Sequence, residues 1–485
     1  MFSLNIKPQY IPARYFSFCV LLTVLLVTLS IRSLQGELFI TGAQYMVAAG
    51  RWIIANGHLP TTDPLSIHSE LTYICQQYPI CILVAVLYDT FGEMSVRLFF
   101  ALLDMVAVLF IWYQTFPKAG NRILHCAVSC VFGAVIVYSL RSTPRALDIL
   151  CLAVSWELME KYIKSRDIRF LFGFPFLGVC IANLHGALWP CAIMLPLAAL
   201  LDSKLDPNAR AALAVTVLLT IASAMLNPYG LDVLSLPFKT IGTSDVATVA
   251  VPELKPMFSI VPVEAVILIV ISVVPVIFHA KCLGFKKAVF SFETMMISGL
   301  LFLSLMTWRN ELLLLGILMI VYSTWCWKLE PKCKVSSKML SRIVLFSISV
   351  VALEFGAVLF YSTLSATDQK SISIERAFQA MREDGAVSGT AVLTDIDPGC
   401  RAELNGFKPY LDTRIEVFNG QKNVLAEAGK ALSSGSLSAI CDDYGMDYAV
   451  LNYGINDVGI QDLKESGFKP VYSDNLTVCL KRGAV

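Results

Sequence analysis

Apolar runs of roughly 20 residues, separated by short polar or basic turns, fill most of the first 364 positions, and runs of that length read as membrane-spanning helices. They lie at residues 15–34, 94–116, 123–140, 147–162, 170–183, 187–201, 211–226, 260–279, 288–307, 312–328 and 343–361, about eleven in all. One stretch interrupts the series. Residues 37–92 are too polar to form a span, and they hold an amphipathic segment (42–56), a Pro/Thr/Asp-rich turn (59–66) and a short apolar run (78–88). The pattern predicts a folded loop that forms the floor of a site, with the other helices as its scaffold. Past residue 364 the pattern changes again. Short β-like runs at 390–394, 448–452 and 477–480 alternate with helical ones at 374–383, 421–432 and 460–465, separated by turn signals such as DPG, NG and SG. The expected organisation is a membrane domain over 1–364, including the 37–92 loop, and an α/β domain over 365–485 with enough chain for its own core.

Charge fixes the orientation this pattern implies. With the N-terminus cytoplasmic, the inside turns contain Lys118 with Arg122 and the basic stretches 161–169, 204–210, 281–287 and 328–342, so every one of them is basic. The agreement holds only if residues 78–88 do not cross, and a run that short is better suited to an interfacial or re-entrant helix. An odd number of spans then places the C-terminal domain outside. The positive charges before the first apolar run, with no small-residue cleavage site after it, read as a retained signal-anchor.

Composition narrows the class. The apolar fraction is 56%, above the roughly 45–50% of soluble domains. A net charge of +1 excludes a strongly basic nucleic-acid surface. Most of the 14 cysteines fall in spans, where a thiol acts as a small hydrophobe, and no CxxC pair or zinc-like spacing occurs. Cys400 and Cys441 in the tail are either a disulfide or two buried thiols.

In this topology, ionisable and amide side chains gather at one depth on the outer face. Such groups are costly near lipid and suggest a substrate path. Arg141, Arg145 and Arg309 either grip a lipid-linked phosphate, which the guanidinium fork suits, or snorkel and pair with Asp148 and Glu311. His185, two residues after Asn183, is either a base or a hydrogen-bonded corner. Glu253 and Asn310 lie at the same level. Asp63 before Pro64 either caps a turn or serves the site, and Glu37, the first acid of the loop, is open to the same two roles. Asp104, Glu157 and Glu354 lie within spans, where pairing between helices accounts for them.

In order, the chain reads GRWIIANGHLPTTDPLS, VRLFFALL, STPRALD, ANLHGALW, LNPYG, VPELKP, WRNELL, PYLDTRIEVF and MDYAVLNYG. This order resembles bacterial polytopic proteins of the GT-C glycosyltransferase superfamily, and the resemblance covers nearly the whole chain. It implies an α-helical polytopic membrane fold with an extracytoplasmic α/β domain and a polyprenyl-phosphate-linked sugar as donor. It also implies inverting transfer on the outer side, with an acid of the first outer loop as base or metal ligand. A divalent metal ion is therefore the one cofactor the resemblance admits. The family's D-x-x-W-H positions hold Gly42, Tyr45 and Met46 here, and its H-E-W-L positions hold Gln76, Gln77, Tyr78 and Pro79. R-P has become Arg145–Ala146. N-L-H-G, N-P-Y-G, R-N and D-x-R (Asp412–Thr413–Arg414) survive, as do the Glu and Pro of E-W-x-P (Glu253, Pro256).

Three functions are compatible with these residues. The first is a transferase acting on a surface glycan, lipid or protein, with Glu37 or Asp63 as the acid, Arg141, Arg145, His185, Glu253, Arg309 and Asn310 at the substrate, and membrane lipids around it. The second is a catalytically inactive scaffold or lipid-glycan binder that works with envelope-assembly proteins, which the missing acids favour. The third is a transporter, against which stand the large outer tail and the lack of a symmetric pair of broken spans.

Overall fold

In the computed structural model, structure is described for residues 13–34, 41–119, 121–140, 143–239, 252–324, 367–419, 423–454 and 456–483, with scattered positions of a helical segment between 342 and 356. Every expected span up to residue 328 coincides with a helix. These are α1 (Ala13–Leu34), α4 (Glu93–Thr115), α5 (Arg122–Ser139), α6 (Arg145–Ser165), α7 (Gly173–Leu184), α8 (Cys191–Ala199), α9 (Pro207–Ala224), α11 (Pro262–Leu283), α12 (Phe292–Met306) and α13 (Glu311–Thr324). Five of the described helices, α1, α4, α5, α9 and α11, are long and apolar enough to cross a membrane, and shorter apolar helices accompany them. The chain is a multi-pass membrane protein. The last expected span falls largely outside the described residues.

The bundle packs as membrane helices do. α5 lies against α1, α4 and α13, and α6 lies against α4, α8 and α13. Meanwhile Leu98, Leu102 and Val106 form an exposed apolar stripe at i, i+4 spacing on α4. Two of the charges expected to pair inside the bundle, Asp104 and Glu157, do so, and the third, Glu354, lies outside the described residues. Arg32 donates to Asp104 at 3.0 Å and to the Val137 carbonyl at 2.8 Å, tying together α1, α4 and α5. Lys118 donates to Glu157 at 2.5 Å and to Glu160 at 2.8 Å, fixing the chain after α4 to α6.

The polar stretch between α1 and α4 contains α2 (Thr41–Asn56) and α3 (Tyr78–Phe91). Between them, Thr62 bridges to Thr72. The helices touch at Gly50, where a Cβ would lie 2.0 Å from the Cys81 carbonyl oxygen. α3 buries Ile80, Cys81, Val84 and Ala85 and leaves Leu83, Val86 and Phe91 exposed.

The tail domain is a five-stranded sheet of β1 (Ala391–Thr394), β2 (Lys408–Pro409), β3 (Tyr448–Asn452), β4 (Phe468–Ser473) and β5 (Thr477–Arg482), in the order β2-β1-β3-β5-β4. β2, β1 and β3 run parallel, and β5 and β4 are antiparallel. Helices α14 (Thr367–Glu383), α15 (Ile396–Leu404), α16 (Val424–Ser434), α17 (Leu437–Asp443) and α18 (Asp457–Glu465) complete the domain. Cys400 and Cys441 are buried free thiols.

The two expected domains meet more closely than the sequence indicated. One apolar core takes Met46, Val47, Tyr73, Cys81 and Val84 from the loop and Leu404, Tyr410, Ile415 and Phe418 from the tail. Backbone bonds join them as well: the Ile67 N–H donates to the Pro409 carbonyl at 3.1 Å. The loop and the sheet domain are packed as one body at one end of the bundle.

Candidate active site

The motifs that carry the resemblance converge at this junction. ANLHG ends α7, and His185 leaves the helix with φ −155°. Its Nδ1 lies 2.9 and 2.8 Å from the two oxygens of Asp148 in the first turn of α6. A carboxylate only accepts, so Asp148 fixes the proton on Nδ1. The next residue, Gly186, donates its N–H to the Gln76 carbonyl at 2.9 Å. Asn183 accepts from the Tyr78 hydroxyl at 3.1 Å and from the Asn227 side chain at 3.2 Å. Tyr229 of the NPYG turn donates to the Pro60 carbonyl at 3.0 Å. These corners therefore brace the loop against the bundle.

Cations collect beside this brace. Arg145, at the start of α6, donates to Glu253, and its buried Nε has no hydrogen-bond partner among the described residues. Arg309, in the turn before α13, makes no hydrogen bond or ion pair among the described residues and keeps its side chain accessible. Neighbouring groups bear on its charge: desolvation lowers its pKa, the nearby Arg145 charge lowers it further, and Glu253 and Glu416 oppose the effect. It stays a cation, as arginine does in proteins. Two guanidiniums near one another, one of them unpaired, form a setting for an anion with several oxygens. Asn310 donates instead to the Leu303 carbonyl at 3.3 Å, closing the end of α12.

Asp63 has a different setting from the one expected of a base. It is fully buried. Arg414 donates to its two oxygens at 2.6 and 3.2 Å, Ser66 donates at 2.5 Å, and the Leu65 N–H donates at 3.1 Å. Arg414 also binds Asp412 and Glu403, at 2.5 and 2.7 Å, and lies over the Tyr73 ring. Burial pushes the Asp63 carboxyl up, but the charge and hydrogen bonds of Arg414 outweigh it and hold the group below the usual range. A carboxylate with both oxygens occupied and its proton affinity lowered is a clamp by geometry. The PTTDPLS and DTR motifs are thus two halves of one joint between loop and tail.

Glu37 and Arg141 lie outside the described residues. Arg145, Glu253 and Arg309 come together, His185 stands in the adjoining brace, and Asp63 lies in the clamp. Among the described residues no group of three or more His, Cys, Asp or Glu side chains is placed to hold a metal ion, because the clustered acids surround Arg414.

Sequence reasoning gave Tyr45, Gln76 and Gln77 no site role beyond marking departures from the family motifs, and it passed over Glu416. Gln77 donates to the Tyr45 hydroxyl. Gln76 is pinned at both ends, accepting from the Ala187 N–H at 2.8 Å and donating to Glu416 at 3.1 Å. Glu416 sits two residues past Arg414. Only its place beside D-x-R marked it, because nothing in a linear sequence brings residue 416 to residue 76.

Fold and site together define a membrane protein with the GT-C glycosyltransferase fold. The chain is similar to the oligosaccharyltransferase AglB of Archaeoglobus fulgidus, solved with an inhibitory peptide and a dolichol-phosphate, with a TM-score of 0.60 at 11% identity over 94% of this chain and 73% of that one. It is also similar to ArnT of Cupriavidus metallidurans, over 96% of this chain and 97% of that one in both states. The TM-score is 0.54 at 14% identity for the apo state and 0.50 at 13% identity with undecaprenyl phosphate bound. No family model matches the sequence, and no curated protein matches it.

Proposed function

We propose that this protein transfers a sugar from a polyprenyl-phosphate carrier to a surface glycan, lipid or protein on the outer side of the cytoplasmic membrane. The observation that carries this function is Arg309, accessible and unpaired among the described residues, near Arg145 in a helix bundle of the GT-C fold. Two structural neighbours were solved with dolichol-phosphate and undecaprenyl phosphate, so a lipid phosphate is the anion to place against these guanidiniums. Arg309 neutralises the phosphate in the bound donor and again as it leaves. Glu253 orients Arg145, and Asp148 orients His185, as the wall of the same site. Cations that stabilise a departing phosphate make transfer from a lipid phosphate chemically sensible.

Binding of undecaprenyl phosphate to the purified protein in nanodiscs tests this. A hydrogen bond to a charged group contributes about 1.5–3 kcal/mol, so Arg309→Ala is expected to weaken binding roughly 10- to 100-fold. Arg309→Lys is expected to recover part of the loss. Unchanged affinity in Arg309→Ala rules out the phosphate role.

One observation favours a non-catalytic lipid-glycan binder instead: the only candidate base in the described part of the loop, Asp63, is committed to Arg414. Such a protein binds the lipid phosphate and never turns a donor over.

A further inference from the structure

The acids expected in the loop are replaced by Gly42 and Gln77, and Asp63 is locked in its clamp. A transferase of this fold still needs a group to take the acceptor's proton. The tail domain brings one to the loop. Glu416 stands on the short helix Ile415–Phe418, whose neighbour Arg414 is anchored to the loop through Asp63.

The orientation of its carboxylate is constrained. The Ala187 N–H can only donate, so the amide oxygen of Gln76 faces Ala187 and its NH2 faces Glu416. Glu416 Oε1 receives that bond at 3.1 Å. Among the described residues no other residue bonds its Oε2; the carboxylate's further hydrogen bond is from the Glu416 backbone N–H, and the side chain is half-buried rather than closed off. Asp148 and Asp63 lack this property, since both of their oxygens are taken; Glu403 also has an oxygen without a partner among the described residues, but it is buried in the Arg414 joint and shut off from an acceptor. Arg309 and Tyr45 lie within electrostatic reach of Glu416, which places it near the proposed phosphate site.

We infer that Glu416, supplied by the C-terminal domain, is the general base of this site, in place of the acid that the membrane loop lacks. This rests on the transferase function proposed above. In the step it serves, Oε2 takes the proton of the acceptor hydroxyl as that oxygen bonds to the anomeric carbon. The bond between that carbon and the phosphate oxygen breaks, and its electron pair leaves with the polyprenyl phosphate beside Arg309. The proton on Glu416 is then released to water. Burial keeps the Glu416 carboxyl above the usual range, and Arg309 and Arg414 counter the shift in part. Raised proton affinity is what a base working near neutral pH needs. Gln76 is a positioning residue that holds one oxygen so that the other points to the acceptor.

The test uses the full-length protein in nanodiscs with a panel of undecaprenyl-phosphate-linked sugars and two acceptors. Native membrane extract supplies hydroxyl acceptors. Azide supplies a nucleophile that carries no proton, attacks the same carbon and needs no base. Binding of undecaprenyl phosphate reports on site integrity. In Glu416→Gln, hydroxyl transfer is expected to fall roughly 100- to 10,000-fold, while lipid binding stays within threefold and glycosyl azide still forms at the wild-type rate. Glu416→Asp, which keeps the charge one carbon short, is expected to lose less.

Hydroxyl transfer retained in Glu416→Gln overturns the assignment and leaves the transferase function standing. Azide and hydroxyl transfer falling together, or lipid binding lost in both variants, makes Glu416 a structural member and also overturns it. Wild-type protein that binds the lipid but transfers to neither acceptor removes the transferase function itself, and the base with it.

Discussion

Arg414 shows how much a single side chain can organise. It is 1% exposed and faces three carboxyl groups, those of Asp63, Asp412 and Glu403. One cation cannot balance three buried anions. Burial holds the Glu403 carboxyl well above the usual range, more than Arg414 can pull it down, and Asp412 and Asp63 push it further up. Glu403 therefore keeps its proton at pH values where Asp63 is charged. The two shifts act in opposite directions with pH. Asp63 is depressed, so its contribution is present above the unfolded value of about 3.9 and is lost as pH falls through its folded value. Glu403 is raised, so stability declines as pH climbs from its unfolded value of about 4.3 toward the folded one. The joint is strongest in the mildly acidic interval between. Glu403→Gln is expected to abolish the alkaline decline, a gain of about 1.4 kcal/mol for each unit by which the Glu403 pKa is raised. Thermal unfolding in detergent across pH 5–9 measures it. An unchanged pH slope would show that another group titrates. None of this was legible in the sequence, where Asp63 and Asp412 are 349 positions apart and D-x-R is only a motif.

At the scale of elements, the pattern of apolar runs was a good guide wherever length and periodicity decided the structure. Among the described residues, the helices expected from the apolar runs up to residue 324, the amphipathic α2 and strands β1, β3 and β5 all form close to where they were expected. The misses have local causes. DPG reads as a turn, yet Asp397 and Pro398 occupy the first turn of α15, where proline lacks no needed N–H. β4 contains Pro470 and goes unrecognised, although it is an edge strand with an irregularity there, a place that tolerates proline. Gly50 marks the closest approach of two elements, since a Cβ there would overlap the Cys81 carbonyl. Gly50→Ala is expected to force α3 away from α2 and cost about 1–3 kcal/mol. It is also expected to make Cys81, now fully buried, reactive to maleimide. Cys81 remaining unreactive in the variant would mean that the helices absorb the methyl without separating.

For the whole molecule, the basic turns predict a cytoplasmic N-terminus and an outer tail, and the proposed transfer depends on that placement. Ser433, exposed at the end of α16, is a suitable reporter. Ser433→Cys is expected to react with a membrane-impermeant maleimide in intact cells, and labelling only after permeabilisation would reverse the topology. The division at residue 364 follows composition, but composition does not show which surfaces meet. The shared core and the Asp63–Arg414 joint make the loop and the tail one unit over the end of the bundle.

By itself the sequence determined the class: apolar length sets the spans, and alternation with turn residues sets the tail's elements, while the side of the lysines and arginines predicts an orientation. Those properties are local or additive along the chain. Only the tertiary structure decided which acid is bound to Arg414 and which keeps a carboxylate oxygen that no other residue bonds, because a carboxyl group's role depends on its partners and burial. Asp63, prominent in a motif, was drawn into a joint by a distant arginine. Glu416, inconspicuous in sequence, was brought to Gln76 by the packing of the tail on the loop.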